Sequence, residues 1–294
     1  MSLSIEHAAA IAREMGLDEH GLEITPLRGG DIAQAHVLRA ADLWVFVKTL
    51  PIQQGALLSA EADGLKALTR TGTVRVPGVI RRGVEDETAW LALEYLELDP
   101  RTPEADERLG RELAALHRNS ADHFGWHRNN YIGLTPQHNP KTADWTSFFL
   151  EHRLGFQFDR LTKAEHGGDW PQLKEQVFEA WHRDHADHHP LPALVHGDLW
   201  QGNASAIGGR RPVVFDPAVH YADRETDLAM TRLFNGFSDA FYEAYESAWP
   251  LHPGHESRAN FYTLYHVLNH ANLFGGGYPA SARRLCQRIV SGAS

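Results

Sequence analysis

The chain has 294 residues, 43% of them hydrophobic and 22% charged, a globular balance that excludes a largely disordered polypeptide. Lys and Arg total 28 against 38 Asp and Glu, and the resulting net charge of -10 argues against general binding to nucleic acid or to anionic membranes. A single cysteine, Cys286, excludes a disulfide framework and fits a reducing, cytoplasmic setting. Met1–Met15 carries Glu6 and Glu14 and no basic stretch leading into an apolar one. No apolar run approaches the ~18 residues of a membrane span, so neither a signal peptide nor a span is expected.

In chain order, Leu22–Leu27 and Ala35–Arg39 read as strands on either side of Gly29-Gly30-Asp31-Ile32. Leu43–Lys48 is a β-type run with Trp44, Phe46 and Lys48 on one face. Leu57–Arg70 reads as a helix whose stripe is Leu57, Glu61, Leu65 and Leu68, with Gly72 as its stop. Val74–Val76, ended by Pro77, and Trp90–Leu96 are further strand candidates. Asp99–Pro103 is turn-rich and reads as a linker, dividing the chain into a sheet-rich lobe, 1–98, and a larger helical lobe, 99–294. In the second lobe Arg108–Arg118, Trp145–Phe158 and Leu173–His185 read as helices. Two short apolar runs follow, Ala193–Val195 and Val213–Phe215, and Gly208-Gly209 between them suggests a hairpin. From Glu225 the pattern is helical again, broken at 250–254 and 275–277. The fold class expected is α+β.

The segment richest in chemistry is Val195-His196-Gly197-Asp198-Leu199-Trp200-Gln201-Gly202-Asn203, which fits the phosphotransferase pattern H-x-D-x-x-x-x-N. Phosphoryl transfer needs an acceptor for the substrate's hydroxyl proton, suited to Asp198, and oxygen ligands for Mg²⁺, suited to Asn203. Phe215-Asp216-Pro217 follows another apolar run, and a carboxylate at a strand end can hold Mg²⁺ against nucleotide phosphates. Taken singly, Asp198 reads as a turn residue and Asn203 as a cap; three matches in order favour phosphotransfer. In the first lobe, Lys48 within an apolar strand and Glu61 on an apolar helical stripe each need a partner, and each suits the other. That is the pairing that positions nucleotide phosphates in kinases. Gly29, Gly30, Asp31 and Ile32 could cover phosphates with backbone N–H groups. Leu93, Glu94 and Tyr95, beside the linker, are placed to meet the adenine edge through their backbone.

These residues make the chain resemble the fructosamine kinase (ketosamine-3-kinase) family of the protein-kinase-like, aminoglycoside-phosphotransferase-like superfamily. The likeness covers nearly the whole chain. Besides the segments above, it rests on Glu61-Ala62-Asp63-Gly64-Leu65, Asn130-Tyr131-Ile132-Gly133 with Gln137 and Asn139, Asp216-Pro217-Ala218, Asp223–Met230, and Leu268-Asn269-His270 before Phe274-Gly275. The resemblance implies a bilobal protein-kinase-like fold with ATP and Mg²⁺ as cofactors. It also implies transfer of the γ-phosphate to the 3-hydroxyl of a free or protein-linked ketosamine, whose breakdown frees the amine. It gives Asp198 the proton-acceptor role and Asn203 and Asp216 the metal. Lys48 with Glu61 would position the phosphates, and Asp227 would brace the catalytic loop beside His196. Where some relatives carry a redox-active cysteine in the Gly-rich loop, this chain has Asp31, so no disulfide switch is expected.

Weaker signals remain. His182–His189 could suggest Zn²⁺, but no cysteine joins it and its spacing fits no closed site, so a solvated helix end is the expectation. Trp126, Tyr131, Trp145, Phe148 and Phe149 read as core, and Trp200 as a candidate for packing on the substrate. Alternatives are another small-molecule hydroxyl kinase of the aminoglycoside or choline type, a nucleotide-binding pseudokinase and a metal hydrolase. The sequence sets neither the preferred ketosugar nor the oligomeric state.

Overall fold

The computed structural model describes residues 3–18, 20–27, 32–164 and 168–292. Helix α1 (Ile5–Glu14) begins at Ser4, whose hydroxyl accepts from the His7 amide. Strands β1 (Glu23–Leu27), β2 (Gln34–Ala40) and β3 (Leu43–Pro51) run antiparallel, and helix α2 (Gly55–Thr71) follows them. Strands β4 (Val79–Glu85) and β5 (Thr88–Glu94) complete a five-stranded sheet of order β1-β2-β3-β5-β4. The alternation of β3 sorts its side chains. Val45 and Val47 pack with Ala8 and Ile11 of α1, Leu38, Trp90 and Ala92, while Phe46, Lys48 and Leu50 face the opposite side, toward α2. Helix α2 ends at Gly72, whose φ of 65° supplies the left-handed cap.

One expectation needs correction here. Val74–Val76 is no strand. It is an extended segment with Val74 and Val76 buried, and the Arg75 carbonyl accepts from the Val214 amide of the other lobe. The strand beside β5 at that edge of the sheet is β4, an exposed run with no apolar alternation to announce it. Asp99–Pro103 runs between the sheet and the helical lobe and is tied to the latter. Asp99 exchanges backbone hydrogen bonds with Ala206 at 2.7 and 3.0 Å, the Thr102 amide donates to the Gly209 carbonyl at 3.0 Å, and buried Arg101 pairs with Asp106 at 2.6 Å.

The larger lobe opens with α3 (Pro103–His117), capped by the Thr102 side chain. A small hairpin follows, β6 (Asn130–Ile132) and β7 (Thr135–Gln137). Helix α4 (Trp145–Phe149) continues through a π-helical turn, Leu150–Gly155, into α5 (Phe156–Lys163), and α6 (Trp170–His185) packs beside it. Strands β8 (Ala193–Val195), β9 (Ala204–Ile207), β10 (Arg211–Val214) and β11 (His220–Ala222) form two short ladders. Gly208 and Gly209 turn β9 into β10, but β8 pairs with β11, so the two apolar runs read from the sequence are not partners of each other. Helices α7 (Glu225–Leu233), α8 (Asp239–Ala248), α9 (His255–Phe274) and α10 (Tyr278–Ser291) close the chain.

Trp145, Phe148 and Phe149 stack in the helical core with Trp181, Phe261 and Tyr262, so the first three belong to packing, as expected. No helix of the described residues is long and apolar enough to cross a membrane.

Candidate active site

A cleft of about 870 Å³ lies between the five-stranded sheet and the helical lobe. Its walls include Ile32, Lys48, Glu61, Leu93, Glu94, Asp198, Trp200, Asn203 and Asp216. Gly29, Gly30 and Asp31 lie outside the described residues. His196, Asp227 and Tyr95 stand behind or beside the walls.

The floor is built from β8 onward. The chain leaves β8 at Val195 and turns at Gly197, whose φ is 84°. A Cβ on Gly197 would lie 2.2 Å from the Ala218 carbonyl oxygen, so only glycine fits there. Asp227, in the first turn of α7, accepts the amides of His196 and Gly197 at 2.7 and 2.8 Å and lies 3.1 Å from His117 Nε2. Burial opposes the Asp227 charge, but these bonds and His117 hold its carboxyl below the usual range. Burial keeps the His196 imidazole below its ordinary pKa, and its Nε2 lies 3.1 Å from the Phe215 carbonyl oxygen.

Asp198 follows directly. Burial, with the nearby charges of Asp216 and Asp227, pushes its pKa up to about 7. Asn203 Nδ2 donates to the Asp198 carbonyl at 2.9 Å and to its Oδ2 at 3.3 Å, tying the two ends of the loop together. Asp216, just past β10, holds a left-handed φ of 57°, unusual for a residue with a side chain. From the sheet, Lys48 Nζ donates to Glu61 Oε1 at 2.8 Å and also to Asp216 Oδ1. Burial works against the Lys48 ammonium, yet the carboxylates of Asp216 and Glu61 outweigh it and hold its pKa above the lysine norm. The same ammonium holds Asp216 down against burial, whereas burial raises Glu61. Lys48, Glu61 and Asp216 thus form one charge cluster spanning both lobes, with Asp198 and Asn203 beside it.

At the sheet end, Leu93 is buried and the Glu94 carboxylate is already engaged by protein groups. It pairs with Arg75 and accepts the Gly78 amide at 3.0 Å. Tyr95 stacks on Trp44 with centroids 5.5 Å apart. On the opposite side Trp200 meets Phe234 edge-on at 5.8 Å, and the ring series continues through His270 to Tyr278, each step 5.1 Å. Phe234 and Tyr278 were missed in the sequence, and His270 appeared there only within a motif. All three are half-buried, and local sequence pattern does not say that they face a cleft.

The His182–His189 segment departs from a solvated helix end. His182 and His189 are exposed, but His185 is buried and half-buried His188 contacts Asp223 at 2.6 Å. His188, Asp223 and Glu225 bring ligand-type atoms within 4.8 Å of one another. Arg258 grips Glu225 through bonds of 2.7 and 2.8 Å and the Tyr262 hydroxyl donates to Asp223 at 2.6 Å, so the cluster reads as a satisfied buried network.

The family model for fructosamine kinase matches residues 4–292. A protein assigned as a ketoamine kinase in Synechocystis is 44% identical over 263 residues, which cover 89% of this chain and 88% of that protein. The Thermobifida fusca structure assigned as a fructosamine-3-kinase superposes with a TM-score of 0.85 at 32% identity, over 99% of this chain and 100% of that one. An aminoglycoside phosphotransferase, solved with AMP-PNP and hygromycin B, shares the bilobal fold: its TM-score is 0.68 at 15% identity, over 97% and 98% of the two chains.

Proposed function

As the chain belongs to the fructosamine kinase family, we propose that it transfers the γ-phosphate of ATP to the 3-hydroxyl of ketosamines, the sugar adducts of amines. The observation that carries this reading is the meeting of Lys48, Glu61, Asp198, Asn203 and Asp216 at one cleft. The lobe 1–98 would hold the nucleotide, with Leu93–Tyr95 at its base end, and the lobe 99–294 the acceptor.

The donors suit magnesium. The Asn203 amide oxygen and the Asp216 carboxylate are hard oxygen ligands, and Asp216 projects from a fixed strand end. These two residues would hold Mg²⁺, which would supply positive charge to neutralise the nucleotide phosphates there. Lys48 supplies a positive charge from the sheet side, and Glu61 keeps its ammonium in place. Asp198 orients the acceptor hydroxyl. As the hydroxyl oxygen bonds to the γ-phosphorus and the bond to the ADP oxygen breaks, the hydroxyl proton passes to Asp198. A carboxyl group raised to about 7 is well matched to taking a proton near neutral pH. Trp200 and the rings beyond it would wall the acceptor. A cytoplasmic site of action fits the single cysteine, Cys286, which is buried.

The test is an ADP-release assay with and without Mg²⁺ over lysine adducts of ribulose, erythrulose and fructose, with aminoglycosides and choline as comparison acceptors. Mg²⁺-dependent turnover on at least one ketosamine is expected. No turnover on any ketosamine, with turnover on an aminoglycoside or choline, overturns the reading.

A further inference from the structure

We propose that the β6–β7 hairpin, anchored by Arg153, is a positioning device for the loop that carries Asp216; this rests on Asp216 acting as a metal ligand, as read above. The hairpin's base grips that loop two and three residues past Asp216. Asn130 Nδ2 donates to the Val219 carbonyl at 2.8 Å and Gln137 Nε2 to the Ala218 carbonyl at 3.2 Å. The grip is itself held. Asn130 Oδ1 accepts from Gln137 Nε2 at 2.9 Å and from Asn139 Nδ2 at 2.8 Å. Arg153, in the π-helical turn, donates to Asn139 Oδ1 at 2.6 Å and to the His138 carbonyl at 2.7 Å, and the Tyr265 hydroxyl donates to Gln137 Oε1 at 2.8 Å.

Two features separate this network from ordinary core satisfaction. First, its members are almost wholly buried: Asn130, Gln137, Asn139 and Arg153 are at most 4% exposed. Burying three amides and a guanidinium is unfavourable beside an apolar hairpin of the same size, the more so as Arg153 Nε finds no partner among the described residues, and what such a network adds is a single fixed arrangement. Each amide here has one workable orientation. Asn130 Oδ1 already takes two N–H groups, so its Nδ2 must face Val219. Second, the segment gripped needs outside help. Asp216 sits at a positive φ, a conformation that persists only where its surroundings over-determine it. The Ala218 amide donates to the His196 carbonyl at 2.8 Å, so the same loop is tied to the catalytic turn. The hairpin's tip, Tyr131 to Leu134, lines the cleft. One element therefore walls the cleft and sets the loop that bears Asp216.

The decisive variant is Asn130→Asp. It keeps the shape and the Oδ1 acceptor but replaces the donor to Val219 with an oxygen. The readouts are kcat, the Mg²⁺ concentration for half-saturation, and ADP affinity by calorimetry with Mg²⁺ and with EDTA. We expect kcat to fall about tenfold or more and half-saturating Mg²⁺ to rise several-fold, while metal-free ADP affinity stays within about twofold. Tyr265→Phe, which removes only the hydroxyl on Gln137, should move the same readouts in the same direction by about two- to fivefold, and it decides the matter if Asn130→Asp does not fold. Leu285→Ala in α10 serves as a destabilised control away from the network. Unchanged Mg²⁺ dependence in both network variants, or losses no different from those of Leu285→Ala, would overturn the proposal. Wild-type protein whose ADP binding ignores Mg²⁺ would instead overturn the functional reading on which it rests.

Discussion

Asp198 carries a conflict between stability and chemistry that can be measured. Its carboxyl is raised from 3.8 to about 7, chiefly by burial and then by the charges of Asp216 and Asp227. Just over three units at about 1.4 kcal/mol each set a ceiling of about 4 kcal/mol on the destabilisation caused by ionising it in the folded protein. Its partial exposure to the cleft and relaxation of its surroundings reduce the expected figure to about 2 kcal/mol. The sign follows from proton binding. Between pH 3.8 and about 7 the folded protein holds a proton that the unfolded chain has released, so this group's contribution to stability falls as pH rises through that window. Asp198→Asn is nearly isosteric and neutral at every pH. Urea unfolding of the metal-free protein should therefore show the variant about 2 kcal/mol more stable than wild type at about pH 8, with the gap closing toward about pH 4. The same variant should lose kcat by ~10²-fold or more while binding ADP normally. A variant no more stable than wild type at the higher pH, or a gap that does not shrink on acidification, refutes the electrostatic reasoning. Activity within about tenfold of wild type refutes the proton-acceptor role.

Lys48→Met leaves the Glu61 and Asp216 carboxylates facing each other without their shared cation, and kcat/KM for ATP should drop ~10²-fold in steady-state assays; an unchanged value would count against the phosphate-positioning role. Asp227→Ala strands the amides of His196 and Gly197 in a buried site and should cost about 3 kcal/mol in urea unfolding, whereas a loss below about 1 kcal/mol would show that the loop holds itself. His266, buried and with its pKa lowered to about 3 by burial and by His270, binds its proton more readily in the unfolded chain, so it withdraws stability as pH falls below about 6.5. Between about pH 7.5 and 5 the loss is about 2 kcal/mol, and His266→Gln should flatten the stability profile by that amount over the same interval.

Much of the cleft was legible because its chemistry contradicts its local pattern. A lysine inside an apolar strand and a glutamate on an apolar helical stripe stand out from their neighbours, and they meet at 2.8 Å. The spacing from Asp198 to Asn203 is short enough for one loop to join them, as the Asn203 side chain does. Legibility stopped where position depends on distant segments. Strand β4 is an exposed edge whose Arg81, Arg82 and Gly83 show no period of two, and Val74–Val76 has the composition of a strand but bonds across to Val214. The ring wall of Phe234, His270 and Tyr278 is gathered from the end of α7 and from α9 and α10, and a helical period identifies a buried side, not its neighbour. Arg153 reads as an ordinary helical surface residue until the π-helical turn and the hairpin enclose it. The glycine pair at Gly29-Gly30 lies outside the described residues.

The stitching of Asp99 to Ala206 and of Thr102 to Gly209 shortens the free crossing between the two lobes. Those bonds weld the start of the helical lobe to the strand pair that leads to Asp216, so that part of the crossing rides with the floor. What is left between the end of β5 and the first weld is Tyr95–Leu98, outside any strand or helix. The Arg75 carbonyl, which accepts from the Val214 amide at 2.9 Å, fastens the sheet side to the same strand pair, so the short crossing is braced from both sides, directly beside the segment proposed to meet the base.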